Sequence, residues 1–285
     1  MGLQWRPIVN RLTLAVLTLL ISVGTAAAQT ADQLPQPSFP VRWQLNLQNP
    51  ASPVMERMVD FHNLLLVIIT AISLFVLALL LICMFRFNER ANPVPSKTSH
   101  NTLIEVIWTG IPVLILIGIA IPSYRLLFFA DRVENAEMTL KITGNQWYWS
   151  YEYPDSEISF DSLALPDDKI DTAKGQHRLL EVDNPVFLPV DTPVRLLFTA
   201  TDVIHAWTIP AFGVKTDTVP GRTNESWVRA TKIGKFYGQC SELCGVDHSY
   251  MPIVVNVVSK EEFKQWLASK KQASAEPTTR LASAQ

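Results

Sequence analysis

Gly238 to Met251 reads Gly-Gln-Cys-Ser-Glu-Leu-Cys-Gly-Val-Asp-His-Ser-Tyr-Met and holds four candidate metal ligands, Cys240, Cys244, His248 and Met251. A fifth, His205, lies upstream in Asp202-Val-Ile-His-Ala-Trp. Two thiols, two imidazoles and a thioether make a soft set that suits copper or zinc; the thioether is a common weak axial ligand to copper and adds little for zinc. Ligand counting separates the possibilities. Blue copper needs one Cys, two His and one Met, so the loop has one thiol too many. A closed zinc site would take Cys240, Cys244, His248 and His205 and leave Met251 unused. Two coppers bridged by both thiolates use every donor, with Met251 on one metal and a backbone carbonyl between the cysteines on the other. In an oxidising compartment the two thiols could instead form a disulfide, which would leave the histidines and Met251 without a role.

The run Cys-Ser-Glu-Leu-Cys-Gly-x-x-His-Ser-Tyr-Met closely resembles the binuclear copper loop of subunit II of cytochrome c oxidase of the bacterial type, and His205 fits the same pattern. The resemblance covers the chain from its first apolar span to about Gln265. It implies copper ligation by His205, Cys240, Cys244, His248, Met251 and the carbonyl of Glu242. It also implies that the Glu242 carboxylate binds magnesium shared with subunit I, a hard ion that suits carboxylate oxygen. The implied activity is electron transfer. Reduced cytochrome c delivers electrons at Trp147, and they pass to haem in subunit I, where oxygen is reduced to water and protons are pumped. Glu105, followed by Val-Ile-Trp108, matches a glutamate at the mouth of a proton channel. Glu152, Asp183, Asp191 and Asp202 are candidate docking acids for a basic cytochrome c, and Asp202 could instead orient His205. The expected partners are subunit I, the other oxidase subunits, cytochrome c and the lipid bilayer.

These residues need a scaffold that holds them outside a membrane. Arg6 and Arg11, an apolar core over 12–23 and Ala26-Ala27-Ala28 read as a cleaved signal peptide over 1–28. Residues 29–53 are Pro- and Gln-rich and read as an extended segment. Residues 54–130 read as a transmembrane hairpin with helices over about 58–87 and 101–129, since the apolar runs 64–85 and 103–129 are long enough to cross about 30 Å of hydrocarbon. Pro112 and Pro122 predict kinks in the second helix. Thr102 and Glu105 fit a capping box at its start. Arg86, Arg90 and Lys97 make the connecting loop cytoplasmic, which puts the metal loop in the periplasm of a bacterial inner membrane.

From residue 131 to 258 the pattern becomes short β-rich runs, predicted at 138–144, 147–153, 157–163, 179–182, 194–199, 203–210, 226–230, 235–238 and 252–258. Many short strands separated by turn residues predict an all-β sandwich or barrel, and the resemblance makes it cupredoxin-like. Strict alternation would put Trp147, Trp149, Tyr151 and Tyr153 on one face. That conflicts with a surface role for Trp147 unless the strand twists or bulges. Ser259 and Glu262 predict the capped start of a helix over 259–271 with Phe263, Trp266 and Leu267 on one face, and 272–285 reads as a disordered or processed tail.

Composition narrows the function classes. Charged residues are only 18% of the 285. Between Asp131 and Glu262 there are 20 acidic and 12 basic residues, a net of −8, which argues against a nucleic-acid partner and towards a basic protein partner. There is no Gly-x-Ser-x-Gly, phosphate loop or dinucleotide fingerprint. Cys83 sits in an apolar run as a small packing residue, and His62, His100 and His177 lie apart from the cluster. A membrane-anchored copper carrier or zinc-stabilised module is the binding-protein alternative. A quinol-oxidase relative would lack the copper ligands that are intact here. Nitrous oxide reductase has a similar loop without the two-span hairpin.

Overall fold

The computed structural model describes residues 39–40, 43–131 and 135–275. The signal-peptide expectation lies outside them, as do residues 29–38 and 41–42 of the 29–53 segment and residues 276–285 of the expected tail. Two long apolar helices precede a β-domain. α1 (Pro53–Arg86) opens with Ser52, whose side chain accepts a bond from the Met55 N–H at 3.0 Å. Pro53 follows at the first helical position, where its missing N–H has no helical partner to lose. The helix therefore starts ahead of the expected residue 58, because Ser52-Pro53 is a start signal hidden at the end of a proline-rich stretch.

That start is built into the β-domain. The Ala51 N–H donates to the Ala211 carbonyl at 2.8 Å, and the Thr231 N–H donates to the Ala51 carbonyl at 2.9 Å. The Ser52 hydroxyl donates to the Phe212 carbonyl at 2.6 Å, and Ser52 is fully buried. Gly213, at φ +67, permits this approach: a Cβ there would lie 2.9 Å from the Met58 sulfur.

α2 (Thr102–Asp131) runs on through Pro112 and Pro122. Its cap is Asn101 and not Thr102. The Asn101 side chain accepts from the Ile104 N–H at 3.2 Å, while the Glu105 carboxylate accepts from the Asn101 N–H at 3.3 Å. The apolar stretches of both helices are unburied by the rest of the chain. Such surface is stable only against lipid or partner helices. At the domain end, Trp227 donates its indole N–H to the Phe129 carbonyl at 3.1 Å, and the Arg57 guanidinium lies 3.3 Å from the Phe129 ring centroid.

The β-domain contains ten strands among the described residues. β1 (Met138–Asn145), β2 (Tyr148–Tyr153), β3 (Ile158–Ser162), β5 (Val194–Ala200) and β8 (Asn224–Val228) form one sheet in the order β3-β2-β1-β5-β8. β4 (Val186–Pro189), β9 (Gly234–Gln239) and β10 (Pro252–Val258) form a second in the order β4-β10-β9. β6 (His205–Ile209) and β7 (Val214–Thr218) form a hairpin. β1 runs parallel to β5 and β4 parallel to β10; the other pairs are antiparallel. Val194, Leu196, Phe198 and Ala200 point inward while Arg195 and Glu225 pair outside at 2.7 Å. Inward residues of both sheets, with Trp149, Tyr151, Trp207 and Phe212, make one core. Each such large side chain contributes about 1.5–3 kcal/mol on burial.

The strand expectations need four corrections. Residues 179–182 form only an isolated bridge, Val182 to Ala164. β4 was not anticipated, because Pro185 just before it and Pro189 at its end read as breaks; as a sheet-edge strand it tolerates them. β7 was not anticipated because Val-Lys-Thr-Asp-Thr is too polar to show an apolar run. β6 starts at His205, without residues 203–204.

α3 (Lys260–Ala275) begins with the predicted box: the Ser259 hydroxyl accepts from the Glu262 N–H at 3.2 Å, and the Glu262 carboxylate accepts from the Ser259 N–H at 2.9 Å. Phe263 is buried, and Trp266 stacks on Phe187 with ring centroids 4.8 Å apart. The helix extends to Ala275, so residues 272–275 are helical and not tail.

Candidate metal centre

Three connections meet at one end of the first sheet: the β1–β2 turn at Gln146–Trp147, the β5–β6 link over residues 201–204, and the β9–β10 loop from Cys240 to Met251. The Thr201 N–H donates to the Gly144 carbonyl at 3.2 Å and the Ser241 N–H to the Ala206 carbonyl at 3.0 Å, which ties the connections together. His205, the first residue of β6, is fully buried. Its ring lies so close to β1 that a Cβ on Gly144 would come within 2.7 Å of His205 Cδ2. His205 Nε2 bonds Asp202 Oδ1 at 2.9 Å. Nδ1 is buried without a hydrogen-bond partner among the described residues. A buried polar atom without a partner costs about 1–3 kcal/mol, so this one needs a ligand role or another compensation.

The compensation on offer is sulfur. The ligand atoms of His205, Cys240 and Cys244 all lie within 4.8 Å of one another. Cys240 Sγ and Cys244 Sγ are 3.9 Å apart, and both thiols are free. A disulfide would need about 2.05 Å. Cys244 Sγ is 3.5 Å from His248 Nδ1 and 3.5 Å from the Met251 sulfur, and Cys240 Sγ is 3.3 Å from the Glu242 carbonyl oxygen. The structure thus brings together all six donors singled out in the sequence. A soft set of this kind fits copper, and His205 Nδ1, buried beside the thiols without a hydrogen-bond partner among the described residues, is placed to serve as a ligand.

The electrostatics of the two thiols differ. Burial opposes a thiolate at Cys240, but His205 and the neighbouring backbone bring its pKa down to about 7. Cys244 is pushed up to about 12 by burial and then by the charge on Cys240. One thiolate forms readily; holding two requires a cation between them. Burial acts against the His205 imidazolium, yet Cys240 and Asp202 together raise its pKa. Burial likewise opposes the Asp202 carboxylate, but His205 and the N–H groups of Val203 and Gln146 hold its pKa below the usual value.

The Trp147 conflict resolves in the backbone. β2 starts at Tyr148, so Trp147 sits in the turn, half-buried, while Trp149, Tyr151 and Tyr153 continue inward. The Trp147 indole N–H donates to the Cys244 carbonyl at 3.2 Å, and the Gln146 side-chain amide donates to the same oxygen at 2.7 Å. Gly245, at φ +127, lies under the indole: a Cβ there would be 2.9 Å from Trp147 Cζ2. Gln146, Trp149 and the two glycines escaped the sequence reading as site residues. Trp149 donates to the Met251 carbonyl at 3.1 Å and lies edge-on to His205, with centroids 5.9 Å apart. Gly245, next to a ligand, was the one readable signal of close approach.

The four candidate acids do not form one face. Glu152 pairs with Lys141 at 2.8 Å. Asp183 accepts from the Leu163 N–H at 2.8 Å and the Asn184 N–H at 2.7 Å. Asp202 is turned to His205 and Gln146. Asp191 precedes Val194, which pairs with Met138, whereas the metal end of the sheet is marked by the Gly144–Ala200 pair. Asp191 is therefore at the wrong end of the sheet to share a face with the ligand loop. Exposed around the loop are apolar side chains, Leu243 at 79% and Val246 at 83%.

Comparison with known proteins places this geometry. Residues 138–258 match the family model for the periplasmic domain of cytochrome c oxidase subunit II, and residues 40–126 match the model for its transmembrane domain. The chain belongs to the cytochrome c oxidase subunit II family. A probable cytochrome c oxidase subunit 2 of Rickettsia bellii is 52% identical over 239 residues, covering 84% of this chain and 88% of that one. Cytochrome c oxidase subunit 2 of Phytophthora megasperma is 46% identical over 234 residues, covering 80% and 87%. The crystal structure of the periplasmic domain of subunit II of cytochrome oxidase from Bradyrhizobium japonicum is 52% identical, covers 50% of this chain and 99% of that one, and superposes with a TM-score of 0.46. As a family member, the chain is a membrane-spanning subunit of an oxidoreductase, and its partners are the other oxidase subunits. Two further sequence candidates fall outside the cluster: Glu105 is half-buried in the first turn of α2, and Glu242 is exposed while its carbonyl faces Cys240.

Proposed function

We propose that this subunit II accepts electrons one at a time from reduced cytochrome c at a binuclear copper centre and passes them to haem in subunit I. The observation that carries this reading is the convergence of two free thiols, His205 Nδ1, His248 Nδ1, the Met251 sulfur and the Glu242 carbonyl, with an indole bonded to one ligand residue. When bound there, copper supplies a one-electron redox couple. The chain's own residues do the positioning. Asp202 takes His205 Nε2 and so turns Nδ1 towards the thiols. Trp149 fixes the Met251 carbonyl from inside the core. The β-scaffold limits movement of the sulfurs, which keeps reorganisation small. Trp147 links a half-exposed ring to the Cys244 carbonyl by one hydrogen bond and so provides an aromatic route from the surface to a ligand residue.

The exposed apolar rim of Leu243 and Val246 supports donor docking through a largely apolar contact, with the domain's overall negative charge steering a basic cytochrome c. Glu242 offers one hard ligand for magnesium, and one carboxylate leaves the rest of that shell to subunit I. Glu105, at the end of the hairpin away from the β-domain, is proposed as the mouth of a proton path. The basic loop between the helices supports a cytoplasmic position for it, with the β-domain in the periplasm of a bacterial inner membrane.

The test is a metal count and an electron paramagnetic resonance spectrum of the full chain in detergent after copper loading. Two coppers sharing one unpaired electron are expected. One copper with single-nucleus hyperfine splitting, or preferential zinc uptake, would overturn the reading.

A further inference from the structure

The two membrane helices line an open, groove-like cavity of about 340 Å³ at the end of the hairpin next to the β-domain. Arg57, Asp60, Phe61 and Leu64 line it from α1, and their spacing puts them on one helical face. Pro122, Arg125 and Leu126 line it from α2. The polar residues of α1 come first and the apolar ones follow deeper along the span, so the cavity has a charged mouth and a greasy floor. Among the described residues no ion pair joins Asp60 to either arginine. The Arg57 guanidinium is held over the Phe129 ring, which fixes it without neutralising it.

We propose that this cavity binds one phospholipid, its phosphate between Arg57 and Arg125 and an acyl chain along Phe61, Leu64 and Leu126. Charge decides the class of ligand. Two guanidiniums and one carboxylate leave a single positive charge, which matches one phosphodiester and disfavours a headgroup carrying two. Guanidinium forks match phosphate oxygens in geometry as well as charge. Asp60 then faces the headgroup, where a hydroxyl or ammonium can donate to it. The volume holds a headgroup and the first part of a chain, and the remainder of the lipid runs along the unburied helix faces. A free phosphate would satisfy the arginines but leave the apolar floor wet. The site wedges α1 against α2 directly below the β-domain, and it is independent of which donor or metal the domain uses.

The test uses the assembled oxidase in phosphatidylcholine bilayers with a trace of phosphatidylglycerol carrying a photoreactive group part-way along one acyl chain. Cross-linked peptides should concentrate on residues 61–64 and 122–126. Arg125→Gln should cut that labelling roughly tenfold, the loss of one charge-assisted hydrogen bond, and Arg125→Lys should retain part of it. Leu64→Trp, which fills the cavity and keeps both arginines, should also abolish it. Excess inorganic phosphate should not compete. Labelling spread evenly along the outer faces of both helices, labelling insensitive to Arg125→Gln and Leu64→Trp, or competition by inorganic phosphate would each overturn the proposal.

Discussion

Gly144→Ala puts the scaffold argument under direct strain. Position 144 pairs with Trp149 on one side and Ala200 on the other, in the middle of the first sheet. Its backbone suits alanine, so any effect comes from the added methyl. That methyl would lie 2.7 Å from His205 Cδ2 and 2.8 Å from the Thr218 hydroxyl, against at least 3.4 Å for ordinary contact. Neither neighbour yields easily. Thr218 donates to the His205 carbonyl at 3.1 Å, and the His205 ring is held at Nε2 by Asp202. Relief must come from the ring, by breaking the Asp202 bond or by swinging Nδ1 away from the sulfurs. Overpacking of this kind costs about 1–3 kcal/mol, and each 1.4 kcal/mol is about a tenfold change in an equilibrium constant. Urea unfolding of the metal-free chain should show the stability loss as a lower midpoint with an unchanged slope. Copper titration monitored by electron paramagnetic resonance should show weaker, heterogeneous binding. Wild-type stability together with a wild-type spectrum would refute the claim that Gly144 exists to seat His205.

Trp147→Phe keeps a ring but loses the bond to the Cys244 carbonyl; stopped-flow oxidation of cytochrome c should slow with copper content unchanged, and an unchanged rate would remove the indole from the entry route. Asp202→Asn should alter the copper spectrum more than it alters the salt dependence of donor binding, because the side chain faces His205; the opposite pattern in spectroscopy and binding titrations would return Asp202 to the docking surface. Asp191→Asn should leave donor affinity within about twofold at any ionic strength, as expected for a charge beyond a Debye length of about 8 Å, and a clear loss in a binding assay would contradict its place at the far end of the sheet.

The cluster of candidate donors was legible because metal chemistry restricts residue types and spacing so tightly: two thiols, His248 and Met251 sit on one loop, and His205 needed only to be brought beside it. The hairpin helices were legible from uninterrupted apolar length. What escaped depended on contacts between distant segments. Nothing local to Trp149 says that its indole serves the Met251 carbonyl, and nothing local to Ser52 says that it is buried among residues 211–231. The candidate docking acids depend on the same kind of contact. Glu152 reads as a free surface charge until β1 brings Lys141 opposite, and Asp191 reads as near the site only by distance along the chain. Trp147 stayed ambiguous because alternation assumes a continuing strand, and the strand begins one residue later.

Ala51 and Ser52 bring a consequence for how such domains are handled in isolation. Their bonds reach Ala211, Phe212 and Thr231, and the Ser52–Phe212 link spans 160 positions of sequence. A soluble fragment cut after the second membrane helix would lack this plug and open two carbonyls and an N–H of the domain floor to water, together with the Gly213 hollow. In the intact chain the floor closes only when the segment ahead of the first span and the last third of the β-domain are on the same side of the bilayer. The few hydrogen bonds that start the first span are therefore also the ones that close the floor of the β-domain.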